Sequence, residues 1–141
     1  MEYYVKVDPP LASKKSVVLV DDDRDVLNVL KKGLEANYYE VHAFDSPDKA
    51  AEYIESTHSP QLLISDVRMP GMTGFELARR ANSHDPDMMV MLLTSFEINY
   101  SEFAKVFPST RIDALIKKPI NIEKLVDAVN ALVVGSYSAG K

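Results

Sequence analysis

Acidic, hydroxyl and ammonium side chains follow four short apolar runs of this sequence. Asp21 to Asp23 come directly after VVLV, and Asp66 comes after LLIS. Thr94 comes after MMVMLL, and Lys117-Lys118-Pro119 closes the run that begins at Ile112. Carboxylates about 4 Å apart repel by roughly 4 kcal/mol at an effective dielectric near 20, so a cluster of them needs a cation. Brought together, these residues would form a cation site with a hydroxyl and an ammonium beside it.

The residue types indicate which cation and which chemistry. Asp21, Asp22 and Asp66 would supply oxygen ligands alone, which suits a hard ion such as Mg²⁺. Mg²⁺ keeps several waters and uses only one or two protein carboxylates, so phosphoryl oxygens can fill other positions. Lys118 and Thr94 would contact the remaining phosphoryl oxygens during an in-line transfer. The carboxylate left free to attack would form an acyl phosphate.

Two neighbours of these residues leave alternatives open. Asp23 could be a third ligand, but a helix cap is favoured, because an acid there faces the positive end of the helix dipole. Lys117 competes with Lys118, and Lys118 is favoured because it alone abuts the proline. The three histidines have no ligand-like spacing, so we expect no zinc site.

Short apolar runs alternate five times with segments of helical period, which predicts a repeated β–α unit. The predicted strands are Val17 to Val20, Glu40 to Phe44, Gln61 to Ser65, Met88 to Leu93 and Ile112 to Lys117. The first, third and fourth are almost continuously apolar, as buried parallel strands are. The second and fifth contain polar residues, as edge strands do. With right-handed crossovers this predicts an α/β fold: a doubly wound five-stranded parallel sheet in the flavodoxin-like order 2-1-3-4-5, with helices on both faces.

Helix periodicity and cap residues place the helices between the strands. Val26, Val29, Leu30 and Leu34 are spaced as the buried stripe of a first helix. Cap residues predict the starts of three later helices, at Ser46, Thr73 and Asn121. The aromatic residues from Phe96 to Phe107 recur at helical spacing, which predicts a further helix that Pro108 ends. Core packing is the default interpretation of that stripe, and a partner-docking surface is the alternative.

Length and composition limit the classes of protein. The 141 residues fit one domain over residues 15–134, with residues 1–14 and 135–141 predicted as tails. The net charge of -5 disfavours direct binding to nucleic acid. No apolar run approaches the roughly 20 residues needed to span a bilayer, and no secretory signal is evident. The absence of cysteine excludes thiolate chemistry. We therefore expect a cytoplasmic protein without membrane insertion.

Four stretches of the sequence occur in an order and spacing that are specific. They are VVLVDDDRDV (17–26), LLISDVRMPGMTGFEL (62–77), MVMLLTS (89–95) and LIKKPI (115–120). The first stretch is an apolar run that leads into D-D, and the second contains D-x-x-M-P-x-M-x-G. The third is an apolar run that ends before T, and the fourth contains K-P. Over roughly residues 15 to 134 the chain resembles a response-regulator receiver domain of two-component phosphorelays.

This resemblance implies roles for individual residues. It implies that Asp66 is the phosphoacceptor, that Asp21 and Asp22 hold Mg²⁺, that Thr94 is the switch hydroxyl and that Lys118 pairs with the phosphoryl group. It also implies a metal contact from the backbone carbonyl of Arg68 and a cis peptide bond between Lys118 and Pro119. The donor would be a sensor histidine kinase or a phosphotransfer protein that presents phosphohistidine.

The chain departs from the family pattern at two places. Leu115 stands where the family usually has Tyr or Phe, so the aromatic gate that moves with Thr94 is missing. The segment from Phe96 to Arg111 lacks the Ala-rich pattern common in the family. Arg68 and Phe96 flank the acceptor and the switch hydroxyl, where they would tune access to the phosphoryl group. Because of Leu115, a receiver-like binding module that is never phosphorylated stays an alternative.

The leading hypothesis is a stand-alone phosphoacceptor switch rather than an enzyme that turns over a substrate. Seven residues follow Val134, so we expect output through an unknown protein partner that reads a surface along the helix from Phe96, the last strand and the last helix. A haloacid-dehalogenase-type phosphatase is the rival, with Asp21 as nucleophile and Asp23 as acid. That class needs a further acidic pair after the lysine, and the last helix offers only Glu123 and Asp127.

Overall fold

The structure, a computed structural model, describes residues 14–56, 60–95 and 109–139, with side chains up to residue 133 in the last stretch. The helix expected from Phe96 to Phe107 lies outside the described residues, and so does nearly all of the predicted N-terminal tail.

Nine elements follow one another along the described chain. In chain order they are β1 (Lys15–Val20), α1 (Arg24–Ala36), β2 (Tyr39–Phe44), α2 (Pro47–Ser56), β3 (Leu62–Asp66), α3 (Gly74–His84), β4 (Met89–Thr94), β5 (Ala114–Lys117) and α4 (Ile122–Ala139). Each predicted strand is present, with ends that coincide with the prediction or differ from it by one or two residues. None of the helices in the described ranges is long and apolar enough to cross a membrane.

The five strands form one parallel sheet in the order β2-β1-β3-β4-β5, so the predicted fold class is confirmed. β1, β3 and β4 are the central strands, and their apolar composition suits burial under helices on both faces. The register pairs Asp66 with Leu93 and Thr94 with Lys117. The carboxyl ends of β3, β4 and β5 therefore lie side by side at one rim of the sheet.

The core has two layers, one on each face of the sheet. Along β1, Val18 and Val20 pack with α2 and α3, while Val17 and Leu19 pack with α1 and α4. This alternation follows from the two-residue period of a strand. Both faces are covered, and all four residues are at most 1% exposed.

The predicted stripe of α1 is wrong at Val29. Val29 is 62% exposed, and Leu27 takes its place in the core beside Leu30 and Leu34. Residues three and seven positions after Leu27 lie on one face of a helix, whereas Val29 is turned away from it by about half a turn.

Local capping explains where the other helices begin. α2 starts at Pro47 after Ser46, and Thr73 caps α3 by accepting from the backbone N–H of Glu76 at 3.2 Å. Asn121 caps α4 by accepting from the backbone N–H of Lys124 at 2.8 Å. All three predicted starts are thus confirmed.

At its other end α4 continues to Ala139, into the segment that the sequence predicts as a tail. No proline interrupts the segment, and each residue added to an existing helix gains a backbone hydrogen bond without a new nucleation cost.

Candidate functional site

Three carboxylates converge at the carboxyl rim of the sheet. Asp21 directly follows β1, Asp22 is the next residue, and Asp66 is the last residue of β3. One oxygen atom of each lies within 4.8 Å of the others. Asp21 is 1% exposed, Asp66 is partly buried and Asp22 is exposed, so the cluster opens to solvent on the Asp22 side. The sheet thus brings together the three acids that the sequence singles out.

Lys118 is the cation that reaches this cluster. Its Nζ donates to Asp21 Oδ2 at 2.8 Å and lies 3.7 Å from Asp66 Oδ2. Its backbone N–H donates to the carbonyl of Thr94 at 2.6 Å, which ties the end of β5 to the end of β4. The neighbouring Lys117 is exposed. The Lys118–Pro119 peptide bond is cis, as predicted.

The pKa values of Asp66 and Lys118 reflect this arrangement. Burial is the main cause that raises the pKa of Asp66 above its usual range, and the charges of Asp21 and Asp22 raise it further. The ammonium of Lys118 and the N–H of Val67 oppose that rise without cancelling it. For Lys118, burial alone would lower the pKa, but the hydrogen bond and charge of Asp21 hold it above its usual value. The lysine thus neutralises Asp21 more than Asp66.

The two oxygens of Asp66 have different surroundings. Oδ1 accepts from the backbone N–H of Val67 at 2.9 Å, and Oδ2 faces Lys118. The same Val67 N–H also donates to the carbonyl of Leu93 at 3.0 Å. The side chain is therefore fixed by its own following peptide, with Oδ2 turned toward the cation.

Gly74, the first residue of α3, packs against the backbone of Asp66. Its N–H donates to the Val67 carbonyl at 2.7 Å, and a Cβ at position 74 would overlap the carbonyl oxygen of Asp66. Only glycine permits this close approach. The motif that carries the resemblance contains this glycine, but the sequence reasoning gave it no role, because the contact is visible only in three dimensions.

Asp23 is a helix cap and not a member of the acidic cluster. Its carboxylate accepts from the backbone N–H groups of Asp25 at 3.0 Å and Val26 at 3.2 Å at the start of α1. Its own N–H donates to Asp21 Oδ1 at 2.9 Å, which helps to orient that acid. The favoured interpretation of Asp23 is confirmed.

The remaining predicted positions lie around this cluster. Thr94 is 2% exposed at the end of β4. Leu115 is partly buried and packs against the apolar cluster under α2 and α3. Arg68 is exposed, two residues beyond Asp66. Phe96 lies outside the described residues.

The donor set fits a hard divalent cation. Asp21, Asp22, Asp66 and Lys118 carry three formal negative charges and one positive charge, so these four side chains have two negative charges in excess. All three candidate ligand atoms are carboxylate oxygens, which Mg²⁺ prefers. A bound Mg²⁺ would neutralise that excess and polarise phosphoryl oxygens.

Comparison with known proteins gives a consistent picture. The family described as "Response regulator receiver domain" matches residues 17–130. The response regulator receiver protein CpdR of Brucella abortus is 33% identical over 127 residues, which are 86% of this chain and 99% of that protein. The response regulator MprA of Mycobacterium ulcerans is 31% identical over 83% of this chain, but this chain spans only 49% of its length.

Among solved structures, a CheY-like receiver domain protein of Methanospirillum hungatei is similar, with a TM-score of 0.81. The two are 27% identical, and the match covers 90% of this chain and 99% of the other.

Proposed function

This chain belongs to the response regulator receiver domain family, and we propose that it accepts a phosphoryl group on Asp66 in a Mg²⁺-dependent transfer. The observation that carries the proposal is the position of Asp66 in the acidic cluster, with Oδ2 3.7 Å from Lys118 Nζ while Oδ1 is held by the backbone. Asp66 thereby offers one oriented oxygen at a site suited to a cation.

Each residue of the site has a role in this proposal. Asp21 and Asp22 would hold Mg²⁺ together with Asp66 and the backbone carbonyl of Arg68. Asp66 Oδ2 attacks phosphorus, an O–P bond forms and the N–P bond of the donor phosphohistidine breaks. The electron pair of that bond stays on the imidazole nitrogen, which takes up a proton. Lys118, whose Nζ lies 3.7 Å from Asp66 Oδ2, would contact the phosphoryl group on Asp66.

The partners follow from this chemistry. The donor is a sensor histidine kinase or a phosphotransfer protein, because those carry phosphohistidine. Output passes to a protein partner through a surface that changes when the Thr94 hydroxyl turns toward the phosphoryl group. Leu115 packs into the apolar layer under α2 and α3 and is not an aromatic side chain, so the change travels without an aromatic gate.

Incubation with Mg²⁺ and a small acyl-phosphate donor tests the acceptor. We expect a mass increase of one phosphoryl group that is labile to hydroxylamine, requires Mg²⁺ and is lost in Asp66→Asn. Peptide mapping locates the adduct. An adduct that persists in Asp66→Asn, or that maps to Asp21, would overturn the assignment.

Two further outcomes, one of them from a separate assay with a phosphate ester, distinguish the rival functions. Steady hydrolysis of a phosphate ester would favour a phosphatase with Asp21 as nucleophile, although the Asp23 carboxylate, its proposed acid, is engaged as the cap of α1. The absence of any adduct in the folded protein would favour the binding module that is never phosphorylated.

A further inference from the structure

Ser65 is a buried polar residue to which the proposed phosphoryl transfer assigns no role. It lies in β3 directly before Asp66 and is 0% exposed, on the face of the sheet that packs under α2 and α3. Its hydroxyl donates to the backbone carbonyl of Asp66 at 2.8 Å. A hydroxyl buried among apolar side chains costs stability unless it is hydrogen-bonded, so Ser65 is placed for this contact and not for packing alone.

The carbonyl that Ser65 holds belongs to the peptide unit that orients the acceptor. The C=O of Asp66 and the N–H of Val67 lie in one rigid plane, so fixing one fixes the other. That N–H donates both to Asp66 Oδ1 at 2.9 Å and to the Leu93 carbonyl at 3.0 Å. Ser65 therefore acts on one end of a peptide whose other end holds the Asp66 carboxylate.

The packing around this peptide makes the hydroxyl hard to replace. Gly74 lies so close that a Cβ there would overlap the Asp66 carbonyl oxygen. Without the Ser65 hydroxyl, that partly buried carbonyl would lose a hydrogen bond, which destabilises the observed orientation of the peptide. Rotation of the peptide to find another donor would move the Val67 N–H away from Oδ1.

We propose that Ser65 is a positioning residue for phosphoryl transfer. By fixing the peptide between Asp66 and Val67 it keeps Oδ1 on the backbone and leaves Oδ2 aimed at Lys118 as the attacking oxygen. This inference rests on the proposed function, because it assigns Ser65 to the reaction of Asp66.

Three variants separate positioning from a general loss of stability. Ser65→Ala removes the hydroxyl, and Ser65→Thr restores one on a side chain suited to a strand. Val20→Ala is the matched control, because Val20 pairs with Ser65 across β1 and β3 and is 1% exposed in the same apolar layer. The substitution shortens a buried side chain there and removes no hydrogen-bonding group. The melting temperature of each variant is recorded first.

The first measurement is the rate constant of phosphorylation at saturating Mg²⁺ and saturating small acyl-phosphate donor. We expect Ser65→Ala to lower this rate constant about tenfold, because a small error in the orientation of a reacting oxygen is costly. The donor concentration at half-maximal rate should change less than the rate constant. Ser65→Thr should recover most of the rate, and Val20→Ala should keep it despite a lower melting temperature.

The second measurement is the amide resonance of Val67, which reports the hydrogen bonds of its N–H without any reaction. We expect its proton shift and exchange protection to change in Ser65→Ala and to stay near the wild-type values in Val20→Ala. If Ser65 contributed only to stability, the Val67 resonance would change no more in Ser65→Ala than in Val20→Ala.

The outcomes separate the two proposals. If the wild type accepts a phosphoryl group on Asp66 and Ser65→Ala does so at the same rate, the role of Ser65 is wrong while the proposed function stands. If the phosphorylation rate constants of Ser65→Ala and Val20→Ala both fall in proportion to their melting temperatures, the proposed positioning role of Ser65 is also wrong. If the wild type itself forms no adduct, the proposed function fails, and the role of Ser65 fails with it.

Discussion

At the scale of single residues, Asp66 differs from a surface aspartate because its two carboxylate oxygens have different partners. One is bound to the backbone N–H of Val67, and the other faces an ammonium that is bound more closely to Asp21. Asp66 is therefore only partly neutralised in the metal-free protein, which agrees with the direction of its pKa. The excess negative charge that would attract Mg²⁺ also lowers the stability of the metal-free fold.

We predict that Asp66→Asn is more stable than the wild type in the absence of metal. Folding raises the pKa of the Asp66 carboxyl group, so ionisation of this group lowers the free energy of unfolding of the protein. This destabilisation is absent well below the ordinary pKa of aspartate and complete above the raised pKa. The melting temperature of Asp66→Asn should therefore be a few degrees above that of the wild type near neutral pH, which corresponds to a free-energy difference on the order of 1 kcal/mol. This difference should shrink as the pH is lowered.

Thermal unfolding in a metal chelator from about pH 7.5 to about pH 4.5 measures this difference. A difference that grows toward acid pH would contradict the prediction.

At the scale of elements, the turn from β3 into α3 brings the start of α3 against the backbone of Asp66. Gly74 starts α3 at a distance from the Asp66 backbone that no side chain allows. Gly33 is also in close contact, but there a Cβ would meet the side chain of Ile122 on α4. A backbone carbonyl within a sheet cannot move aside, whereas an isoleucine side chain can rotate.

We predict that Gly74→Ala lowers the free energy of unfolding by about 1–3 kcal/mol or more and slows phosphorylation of Asp66. Gly33→Ala should cost less, because Ile122 can adjust and alanine gains roughly 1 kcal/mol of helix propensity over glycine. Denaturant unfolding of both variants tests the order. Equal losses would show that the close approach of α3 to the acceptor carries no special cost.

We expect a donor protein of the proposed kind to contact the outer face of α1. Val29 is exposed on α1, and a groove of about 260 Å³ lies between that helix and the segment after β5. Lys118 lines the groove together with Val26, Leu30 and Ile120, so the groove adjoins the site. A protein that brings phosphohistidine to Asp66 must cover this rim.

We predict that Val29→Asp slows phosphoryl transfer from a phosphohistidine protein several-fold, because it places a charge where that protein would bury apolar surface. Transfer from the small acyl-phosphate donor should be unchanged, and the free energy of unfolding should change by no more than about 0.5 kcal/mol. The ratio of the two rates is the measurement. Equal slowing with both donors would place the effect at the reaction site and not at the contact surface.

At the scale of the whole molecule, the sheet joins acids from two strand ends and a lysine from a third into one charged site, so cation binding must be linked to global stability. We predict that Mg²⁺ raises the melting temperature, by an amount that corresponds to about 2.7 kcal/mol at roughly 100 times the dissociation constant. Asp22→Asn should lose most of this stabilisation, because it removes a candidate ligand.

Asp23→Asn is the matched control for that prediction. It removes the same charge from the adjacent residue, and asparagine keeps the cap of α1. Calorimetric titration with Mg²⁺ compares the two variants. Equal loss of affinity in both would mean that overall charge, and not ligation by Asp22, accounts for binding.

The sequence by itself determined the strands, their order, most helix starts and the residue types at the strand ends. Apolar runs, cap residues and strand-end chemistry are local signals, and two-sided burial of β1, β3 and β4 leaves few alternative arrangements. The local signal was ambiguous for α1, where Val29 and Leu27 are equally apolar, and only packing against the sheet selects which one is buried.

Only the tertiary structure decided which groups meet within the site. Lys118 binds Asp21 across 97 residues of sequence, Gly74 comes against the Asp66 carbonyl, and the Ser65 hydroxyl donates to that same carbonyl. These contacts depend on distances of a few ångströms between backbone segments. Composition and spacing carry no such distances, because they are set only when the sheet, its helices and the connecting turns pack together.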